Sequence, residues 1–296
     1  MDILTVKGLE KSFGSKRVLK GIDMSVPERS IFGFIGKNGA GKTTTMKAVL
    51  GLVRTDSGEI HVSGEKVSFG QTATNRYVGY LPDVPGFYPF MTAREYLKLC
   101  GESLCMKKSE ISERSEELLS LVGLSDEDHR IKGYSRGMKQ RLGIAQALLG
   151  RPRLLICDEP TSALDPIGRK EILDILLSVR EQTTVLFSTH ILSDVERICT
   201  DVALLNDGVI AMQGSVDELR KVNRTERFFV ETDDMSPLLE AFPGSKRGKD
   251  GELIFEGGEA EMYAVMDFIS QKRLSVRRIE RAETSLEELF SEVVKK

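Results

Sequence analysis

The residues most able to do chemistry form one glycine-rich segment. The segment consists of Gly36, Lys37, Asn38, Gly39, Ala40, Gly41, Lys42 and Thr43. Glycines allow a tight turn whose successive backbone N–H groups face an anion. Lys42 would reach the β- and γ-phosphates of a nucleotide, and Thr43 would place its hydroxyl on Mg²⁺. A glycine-rich turn without function is the alternative, but every position fits a phosphate-binding loop. The segment therefore predicts binding of a nucleoside triphosphate.

The elements on either side of this loop are the ones that such a site requires. Residues 31–35 form a short apolar run that predicts a strand, and residues 42–50 are compatible with a helix. A strand, a glycine loop and a helix in this order place the positive helix end against the phosphates. Thr44 lies at the start of that helix and belongs to the predicted nucleotide site.

Two acidic residues follow a second apolar run. Residues 154–157 predict a buried strand, and Asp158 and Glu159 come at its end. There Asp158 can hold Mg²⁺, through water, while Glu159 polarises the water that attacks the γ-phosphate. Two acids that merely cap a strand are the alternative. Their position downstream of a phosphate loop favours the functional interpretation.

A third strand, at residues 183–189, ends at His190. A lone histidine is more often a structural hydrogen-bonding residue than a catalytic one. This histidine, however, follows a core strand of the same predicted sheet, where a side chain can reach a γ-phosphate. The sequence therefore predicts that His190 belongs to the catalytic site.

The order of elements predicts how these segments are held. Strands are expected at residues 3–6, 21–26, 31–35, 58–62, 78–81, 154–157, 184–188 and 202–205. Residues 92–149 are expected to be helical, and residues 167–180 form an amphipathic stretch between two of the later strands. This alternation favours a mostly parallel sheet flanked by helices.

A second unit is expected from residue 222, so that the predicted domains are residues 1–221 and 222–296. In the second domain strands are expected at residues 227–231, 252–255 and 274–279, helices at 237–242, 259–271 and 285–294, and a polar turn at 244–251. No catalytic group of residues is visible there. A structural or regulatory α+β appendage is the better interpretation.

Bulk properties limit the function classes. The net charge of −3 and the pI near 5.8 do not favour a nucleic-acid binder, although a local basic patch can occur in an acidic chain. Four cysteines without a short paired spacing favour reduced thiols in a cytosolic protein over a metal site or disulfides. No signal peptide and no apolar run of the roughly 18 residues that a membrane helix needs are visible. We expect a soluble chain that reaches a membrane only through a partner.

Taken together, residues 1–221 resemble the nucleotide-binding subunit of an ATP-binding cassette (ABC) transporter, with the motifs of that family in its order. The phosphate loop and the acidic strand match, and His190 matches the switch histidine. Three further positions match as well: Phe13 for adenine stacking, residues 134–138 for the signature, and residues 162–165 for the dimer-contact loop. The resemblance implies an α/β P-loop cassette with a mostly parallel sheet, an antiparallel β subdomain and a helical subdomain at about residues 84–150. A small C-terminal α+β domain would follow.

Two motifs depart from the family pattern. The signature, usually Leu-Ser-Gly-Gly-Gln, is here Tyr-Ser-Arg-Gly-Met, but Ser135 and Gly137 remain, and in the family these contact the γ-phosphate bound to the opposing cassette. Asp83 stands where the family usually has a glutamine that touches Mg²⁺ and couples to the membrane domain. A carboxylate binds a hard cation differently from an amide. We expect Asp83 to keep the metal-sensing role with altered affinity; an ordinary loop acid is the alternative.

The resemblance also implies partners. Two copies of the cassette would enclose ATP head to tail, and a separate transmembrane permease would hold them at the inner, cytoplasmic face of the membrane. Aromatic residues within 81–97 could form a docking groove for that permease or pack the core of the helical lobe. The Tyr-Leu-Pro-acid segment, the signature and residues 285–290 resemble bacterial drug, antimicrobial-peptide and sodium exporters; an importer fits less well.

Two other classes of function stay open at this point. The first is a soluble ABC ATPase that acts on ribosomes or nucleic acid, but such proteins usually carry two cassettes or an inserted coiled coil or zinc module. The second is a nucleotide-dependent scaffold without catalysis, which Glu159 and His190 argue against. The transported molecule is not indicated by the sequence.

Overall fold

A computed structural model describes residues 1–71, 73–222, 227–248 and 251–281, together with Leu286, Leu289 and Phe290. Internal contacts divide the chain into two units, Met1–Val216 and Asp217–Lys295. The predicted boundary between residues 221 and 222 lies slightly further along the chain, and it stays a prediction. The two units are described one after the other below.

The strands of the first unit build two sheets. They are β1 (Asp2–Phe13), β2 (Lys16–Pro27), β3 (Ile31–Ile35), β4 (Ser57–Val62), β5 (Glu65–Lys66), β6 (Val78–Leu81), β7 (Leu154–Asp158), β8 (Thr184–Thr189), β9 (Asp201–Asn206) and β10 (Val209–Ser215). One sheet has the order β2-β1-β4-β5 and is antiparallel. The other has the order β10-β9-β3-β8-β7-β6, and all its pairs except β9 with β10 are parallel.

The helices cover this parallel sheet and form a separate lobe. They are α1 (Lys42–Val49), α2 (Ala93–Ser103), α3 (Lys108–Leu121), α4 (Arg136–Leu148), α5 (Pro166–Ser178) and α6 (Leu192–Ile198); the next helix, α7 (Val216–Val222), begins at the boundary and belongs almost entirely to the second unit. Helices α2, α3 and α4 pack on one another and make up the helical lobe. Side-chain oxygens cap several helices: Thr92 accepts from Glu95 N at 3.3 Å at the start of α2, and Asp165 accepts from Gly168 N at 2.7 Å at the start of α5. Such caps satisfy N–H groups that have no partner within the helix.

The central strands of the parallel sheet are buried on both faces, which explains why their sequences are continuous apolar runs. Alternate side chains enter two different cores. Leu154 and Ile156 pack toward the antiparallel sheet, whereas Leu155 and Cys157 pack toward the helical lobe. Strand β7 is therefore held from both sides, and the two acids at its carboxyl end have a rigid support.

The architecture confirms the expected α/β cassette with a mostly parallel sheet, an antiparallel β subdomain and a helical subdomain. Some elements were not predicted. Strand β10 is half exposed and has no continuous apolar face, and helix α6 is too short to show a helical period. Strands β1 and β2 are also much longer than the four- to six-residue runs that alternation indicated, because bulges interrupt their pairing and hence the alternation.

The second unit is a four-stranded antiparallel sheet with helices. Its elements are β11 (Arg227–Thr232), α8 (Ser236–Ala241), β12 (Lys246–Arg247), β13 (Leu253–Glu256), α9 (Glu259–Lys272) and β14 (Val276–Arg281), with the strand order β12-β13-β11-β14. Phe228 and Phe255 stack at 5.0 Å between ring centroids in its core. The polar stretch 244–251, predicted as a turn, contains β12, because both of its residues pair with β13 despite their charge.

The predicted helix at residues 285–294 lies mostly outside the described residues. Of its members, Leu286, Leu289 and Phe290 are helical and buried. Within the described part of the chain, no helix combines the length and the apolar character needed to cross a membrane.

Candidate functional site

The glycine loop connects β3 to α1, as the sequence predicts, and its backbone accepts little but glycine at two positions. A Cβ atom at Gly36 would lie 2.6 Å from the carbonyl oxygen of Leu205. Gly41 has a φ of +116°, and a Cβ there would lie 2.6 Å from Cδ2 of Leu19. The loop can therefore come close to neighbouring backbone and still turn directly into the helix.

Lys42 is the first residue of α1, and its side chain is 5% exposed. Its ammonium group donates to the carbonyl oxygen of Gly36 at 2.6 Å and lies 3.0 Å from Oε1 of Glu159. The carbonyl of Lys37 is a more distant acceptor, at 3.4 Å. The partners of this buried cation are two backbone carbonyl oxygens and one carboxylate. The cation can exchange one of these partners for the oxygen of an incoming phosphate group.

Asp158 is 3% exposed and accepts hydrogen bonds on both of its carboxylate oxygens. The Thr43 hydroxyl donates to Oδ2 at 2.7 Å, and the Ser188 hydroxyl donates to Oδ1 at 2.7 Å. Ser188 stands opposite Asp158 in the parallel pairing of β7 with β8. The same Ser188 oxygen accepts from the backbone N–H of Glu159 at 3.0 Å. One serine therefore orients both acids.

Glu159 occupies an unusual backbone position directly after β7. Its φ is +48°, in the left-handed region that a residue with a long side chain seldom adopts. The carboxylate lies between two basic groups, because Oε2 is 2.9 Å from Nδ1 of His190 while Oε1 is close to Lys42. The carboxylate of Glu159 thus joins the first residue of α1 to the residue that follows β8.

These side chains line one cavity of about 560 Å³. Its lining includes eleven of the predicted site residues: Phe13, Asn38, Gly39, Gly41, Lys42, Thr43, Thr44, Asp83, Asp158, Glu159 and His190. The other lining residues are Lys16 and Val18, which the sequence did not single out, and Ser162, which the resemblance placed in the dimer-contact loop. Gly36, Lys37 and Ala40 belong to the loop but do not line the cavity. Both a nucleobase and a triphosphate could be accommodated along this lining.

Phe13 ends β1 at the rim of the cavity and is 53% exposed. The ammonium group of Lys11 lies 5.1 Å from the ring centroid, a cation–π distance, and it is also paired with Asp56 at 3.2 Å. Lys11 thereby supports one face of the ring. The other part of the exposed ring is available for a flat apolar group such as a nucleobase.

Ser135 and Gly137 lie outside this cavity, at the start of α4 in the helical lobe. Ser135 is the N-cap residue, and its hydroxyl accepts from the N–H of Met138 at 3.2 Å. Ser135 is exposed, and a Cβ atom at Gly137 would meet nothing closer than 3.9 Å. The start of this helix is therefore open to an anion from outside the chain, and within one chain it does not join the other predicted site residues.

Asp83 follows β6 and lines the cavity together with Thr43 and Asp158. Tyr80, three residues earlier, is half buried; burial chiefly, with the charges of Asp158 and Asp83 adding to it, raises the pKa of its phenol to about 12. This tyrosine is therefore uncharged at physiological pH. The negative charge at this end of the sheet comes from the carboxylates alone.

Sequence reasoning missed Ser188 and the support of the turn after Glu159. In that turn the Thr161 hydroxyl donates to Oδ2 of Asp194 at 2.7 Å, and Arg169 donates to Oδ1 of the same buried carboxylate at 2.5 Å. The position of Ser188 two residues before His190 could have drawn attention to it. Asp194, in contrast, lies in a short helix whose neighbours only the fold defines.

The donors of the cavity suit a hard cation only in part. The hydroxyl of Thr43 and the carboxylates of Asp158 and Asp83 are oxygen ligands, which Mg²⁺ prefers. Among the described residues, however, no group of three or more histidine, cysteine, aspartate or glutamate side chains could hold a metal ion by itself. A metal here would depend on further oxygens from a ligand and from water, as Mg²⁺ at phosphate sites usually does.

Comparison with known proteins agrees with this geometry. Residues 19–162 match the family model for the ABC transporter, and residues 214–294 match that for the ATP-binding protein DrrA1-3-like C-terminal domain. The chain is 38% identical to the uncharacterized ABC transporter ATP-binding protein YxlF of Bacillus subtilis (strain 168), with 99% of each chain covered. It is 40% identical to the bacitracin transport ATP-binding protein BcrA of Bacillus licheniformis, over 75% of this chain and 72% of that protein.

Solved structures give the same result over about three quarters of the chain. A structure of the ATP-binding subunit of an ABC transporter aligns with a TM-score of 0.67 at 31% identity, covering 74% of this chain and 92% of that one. Another, cbiO1 from Clostridium perfringens, part of the ABC transporter complex cbiONQ, aligns with a TM-score of 0.68 at 26% identity, covering 75% and 94%. The chain belongs to the ATP-binding proteins of ABC transporters, which are ATPases whose hydrolysis of ATP is coupled to transport across a membrane.

Proposed function

We propose that the cavity binds Mg·ATP and that this chain, as a pair of cassettes, drives an exporter through a separate transmembrane permease. The observation that carries the proposal is the convergence of Lys42, two neighbouring carboxylates and His190 in a single cavity. Lys42 and His190 contact the two oxygens of Glu159 from opposite sides, and Asp158 is fixed next to them.

Within the cavity each side chain has a separate task in the hydrolysis of ATP. Lys42 exchanges Glu159 for the β- and γ-phosphates, which frees the carboxylate at the moment when the substrate arrives. Glu159 then accepts a hydrogen bond from the attacking water, and His190 holds the second oxygen of Glu159 and faces the γ-phosphate. Water adds to the γ-phosphorus while the bond to the β–γ bridging oxygen breaks, giving ADP and phosphate.

The metal would be held by Thr43 and Asp158, with Asp83 at the edge of the same lining. When bound, Mg²⁺ supplies positive charge that neutralises the phosphates during transfer. The chain's own part is to keep the hydroxyl and both carboxylates in place, and Ser188 does this for Asp158. Within the described residues the ligand set is incomplete without a phosphate, so that metal and nucleotide binding would be interdependent.

The second cassette would complete the site. Ser135 and Gly137 offer a hydroxyl and helix N–H groups to an anion, yet they lie outside the cavity of their own chain. A head-to-tail pair of chains would bring the signature of each copy to the nucleotide of the other. ATP would then stabilise the closed pair and hydrolysis would release it, as a ligand-dependent shift between two populations.

The helical lobe carries a surface suited to a permease. A groove of about 380 Å³ is lined by Phe90, Met91, Glu95, Lys98, Leu99 and Glu102. Tyr88 and Phe90 are both more than half exposed, whereas the rings of Phe87 and Tyr96 pack against each other at 5.0 Å inside the lobe. Some aromatic residues of this segment, such as Phe87, therefore pack in the lobe, while others, such as Phe90, are available for docking. A permease bound here would hold the cassettes at the inner face of the membrane.

Export is the direction that the resemblance of the motifs favours, and the relatives include transport proteins. BcrA of Bacillus licheniformis and BcrA of Enterococcus faecalis are named for bacitracin transport, and this chain is 40% and 32% identical to them. The permease would select the transported molecule, since no feature of the cavity beyond the nucleotide site indicates one. We assign no nucleic-acid partner.

A single substitution tests hydrolysis and pairing together. Glu159→Gln keeps the shape of the side chain but removes the charge that polarises water. ATP hydrolysis should fall by a factor of about 10² or more, and the variant should elute as a dimer in gel filtration with Mg·ATP. Glu181→Gln, at an exposed acid outside the site, is the matched control and should behave like the wild type. Unchanged hydrolysis, or a monomer under all nucleotide conditions, would refute the proposal.

Coupling to a permease needs its own experiment. The chain should sediment with membranes only when a partner protein with several membrane spans is co-expressed. Sedimentation with ribosomes in its place would favour the soluble class of ABC ATPases.

A further inference from the structure

The start of helix α4 holds Asp83 at two points. The side-chain amide of Gln140, which is 1% exposed, donates to the backbone carbonyl of Asp83 at 2.8 Å. Nη2 of Arg136 lies 3.5 Å from Oδ1 of the Asp83 carboxylate. Arg136 is the signature residue between Ser135 and Gly137, so the signature and the loop after β6 are joined within one chain.

The same carboxylate also belongs to the lining of the nucleotide cavity, together with Thr43 and Asp158. Asp83 therefore has two possible cationic neighbours, the guanidinium of Arg136 and the metal that accompanies the nucleotide. A positive charge at 3.5 Å weakens the attraction of a carboxylate for a second cation. The two interactions oppose each other.

We infer that Arg136 competes with the metal ion for Asp83 and so sets the Mg²⁺ concentration at which the cavity takes up nucleotide. The inference rests on the proposed function, since it requires that Mg·ATP binds in this cavity. Arg136 acts here as a positioning residue through Asp83, not as a catalytic residue. It links the two departures from the family pattern, an arginine in the signature and an aspartate after β6.

The exposure of the pair limits the size of the effect. The side chains of Arg136 and Asp83 are 45% and 48% exposed, so solvent screens their attraction strongly. Exposed pairs of this kind change an equilibrium by a factor of about two to five. Removal of the guanidinium should shift metal binding by that amount and leave the remainder of the site unchanged.

The test measures nucleotide binding and not turnover. A fluorescent ATP analogue is bound to the full chain while Mg²⁺ is titrated from zero, and the half-saturating Mg²⁺ concentration is recorded. Arg136→Gln should lower that concentration about two- to fivefold. Arg136→Lys, which keeps the charge, should stay closer to the wild type. Asp83→Asn should raise the half-saturating Mg²⁺ concentration. In the Asp83→Asn background, the additional change Arg136→Gln should not lower that concentration.

Lys139→Gln is the matched control, because it removes one positive charge one turn further along α4, and no ion pair to Lys139 is found in the described part of the chain. The inference is wrong if Lys139→Gln has the same effect as Arg136→Gln. It is also wrong if Arg136→Gln leaves the half-saturating Mg²⁺ concentration unchanged, raises it, or lowers it equally in the Asp83→Asn background. Failure of the proposed function looks different: the wild type would not bind the analogue with Mg²⁺, or would bind it equally well after Lys42→Ala. Thermal unfolding of each variant separates a loss of metal dependence from a loss of folded protein.

Discussion

The phosphate loop and the signature are both proposed to bind phosphate groups, yet their surroundings in the chain are opposite. At the phosphate loop, Lys42 and Asp158 are buried, and the side chains that contact them lie in one cavity. In the signature, Ser135 is exposed at the start of α4 and does not line that cavity, while its neighbour Arg136 reaches Asp83 at the cavity edge. This difference indicates that the first half of the proposed site is organised before any ligand arrives, whereas the second half is left open at the surface.

The largest effect is expected from Lys42→Ala, which changes the half of the site around the phosphate loop. The variant loses the ammonium group that would contact the phosphates, and it leaves Glu159 without its 3.0 Å partner. Nucleotide affinity should fall about 100-fold or more, since charge-assisted contacts contribute about 1.5–3 kcal/mol each. Titration of a fluorescent nucleotide measures this. The control is Lys47→Ala, an exposed lysine of the same helix, which should bind normally.

Ser135→Ala changes the other half, the signature at the start of α4. Binding of nucleotide to the single chain should be unchanged, while ATP-dependent pairing and hydrolysis fall at least about tenfold, because only the trans contact to the phosphate is lost. Measuring affinity and hydrolysis on the same preparation makes the contrast visible. A parallel loss of affinity in dilute monomer would show that the two halves are not separate.

Loss of the helix cap alone must be excluded for Ser135→Ala. Thr92→Ala removes a capping hydroxyl from α2, at a similar cost of about 1 kcal/mol in stability. It does not alter the signature and should leave hydrolysis intact.

Ser188→Ala tests how much the organisation of the first half depends on one hydroxyl. The variant removes a donor to Asp158 and an acceptor for the N–H of Glu159. We expect hydrolysis about tenfold slower and a free energy of unfolding lower by about 2–3 kcal/mol. Thr183→Ala is the comparison, because this buried hydroxyl has no hydrogen-bond partner in the described part of the molecule. Equal effects of both substitutions would contradict the role of Ser188.

The smallest effects are expected at the rim. Phe13→Tyr preserves the ring face and should change nucleotide affinity less than about twofold, whereas Phe13→Ala should weaken it about tenfold through loss of stacking. Phe69→Ala, another exposed phenylalanine but not part of the cavity, provides the baseline. If Phe13→Ala matches that baseline, the rim does not contact the nucleobase.

What the sequence could predict follows the same division. The strand at residues 31–35 and the helix after the glycine loop agree with β3 and α1 almost to the residue, because an apolar run, glycines and a helix start are local features. The grouping of Lys42, Asp158 and His190 was accessible as well, since each follows or precedes a central strand of one sheet. Their proposed roles stay predictions until the variants are measured.

Other features depend on information that no local pattern contains. Ser188 meets Asp158 because of the register between β7 and β8, and register is a property of two strands. Strand β10 was missed because it has no continuous apolar face. The contact of Arg136 with Asp83 joins residues far apart in sequence, at a site where both differ from the family pattern.

The left-handed backbone of Glu159 has a consequence for the history and engineering of this chain. A residue with a Cβ pays about 1 kcal/mol or more for a φ of +48°, while glycine or asparagine adopts it readily. Replacement of Glu159 by glycine should relieve this strain, but it should also leave the buried ammonium group of Lys42 without its carboxylate partner and give an inactive ATPase. Selection and engineering for stability therefore meet two opposing contributions at this position, the backbone strain and the ion pair with Lys42.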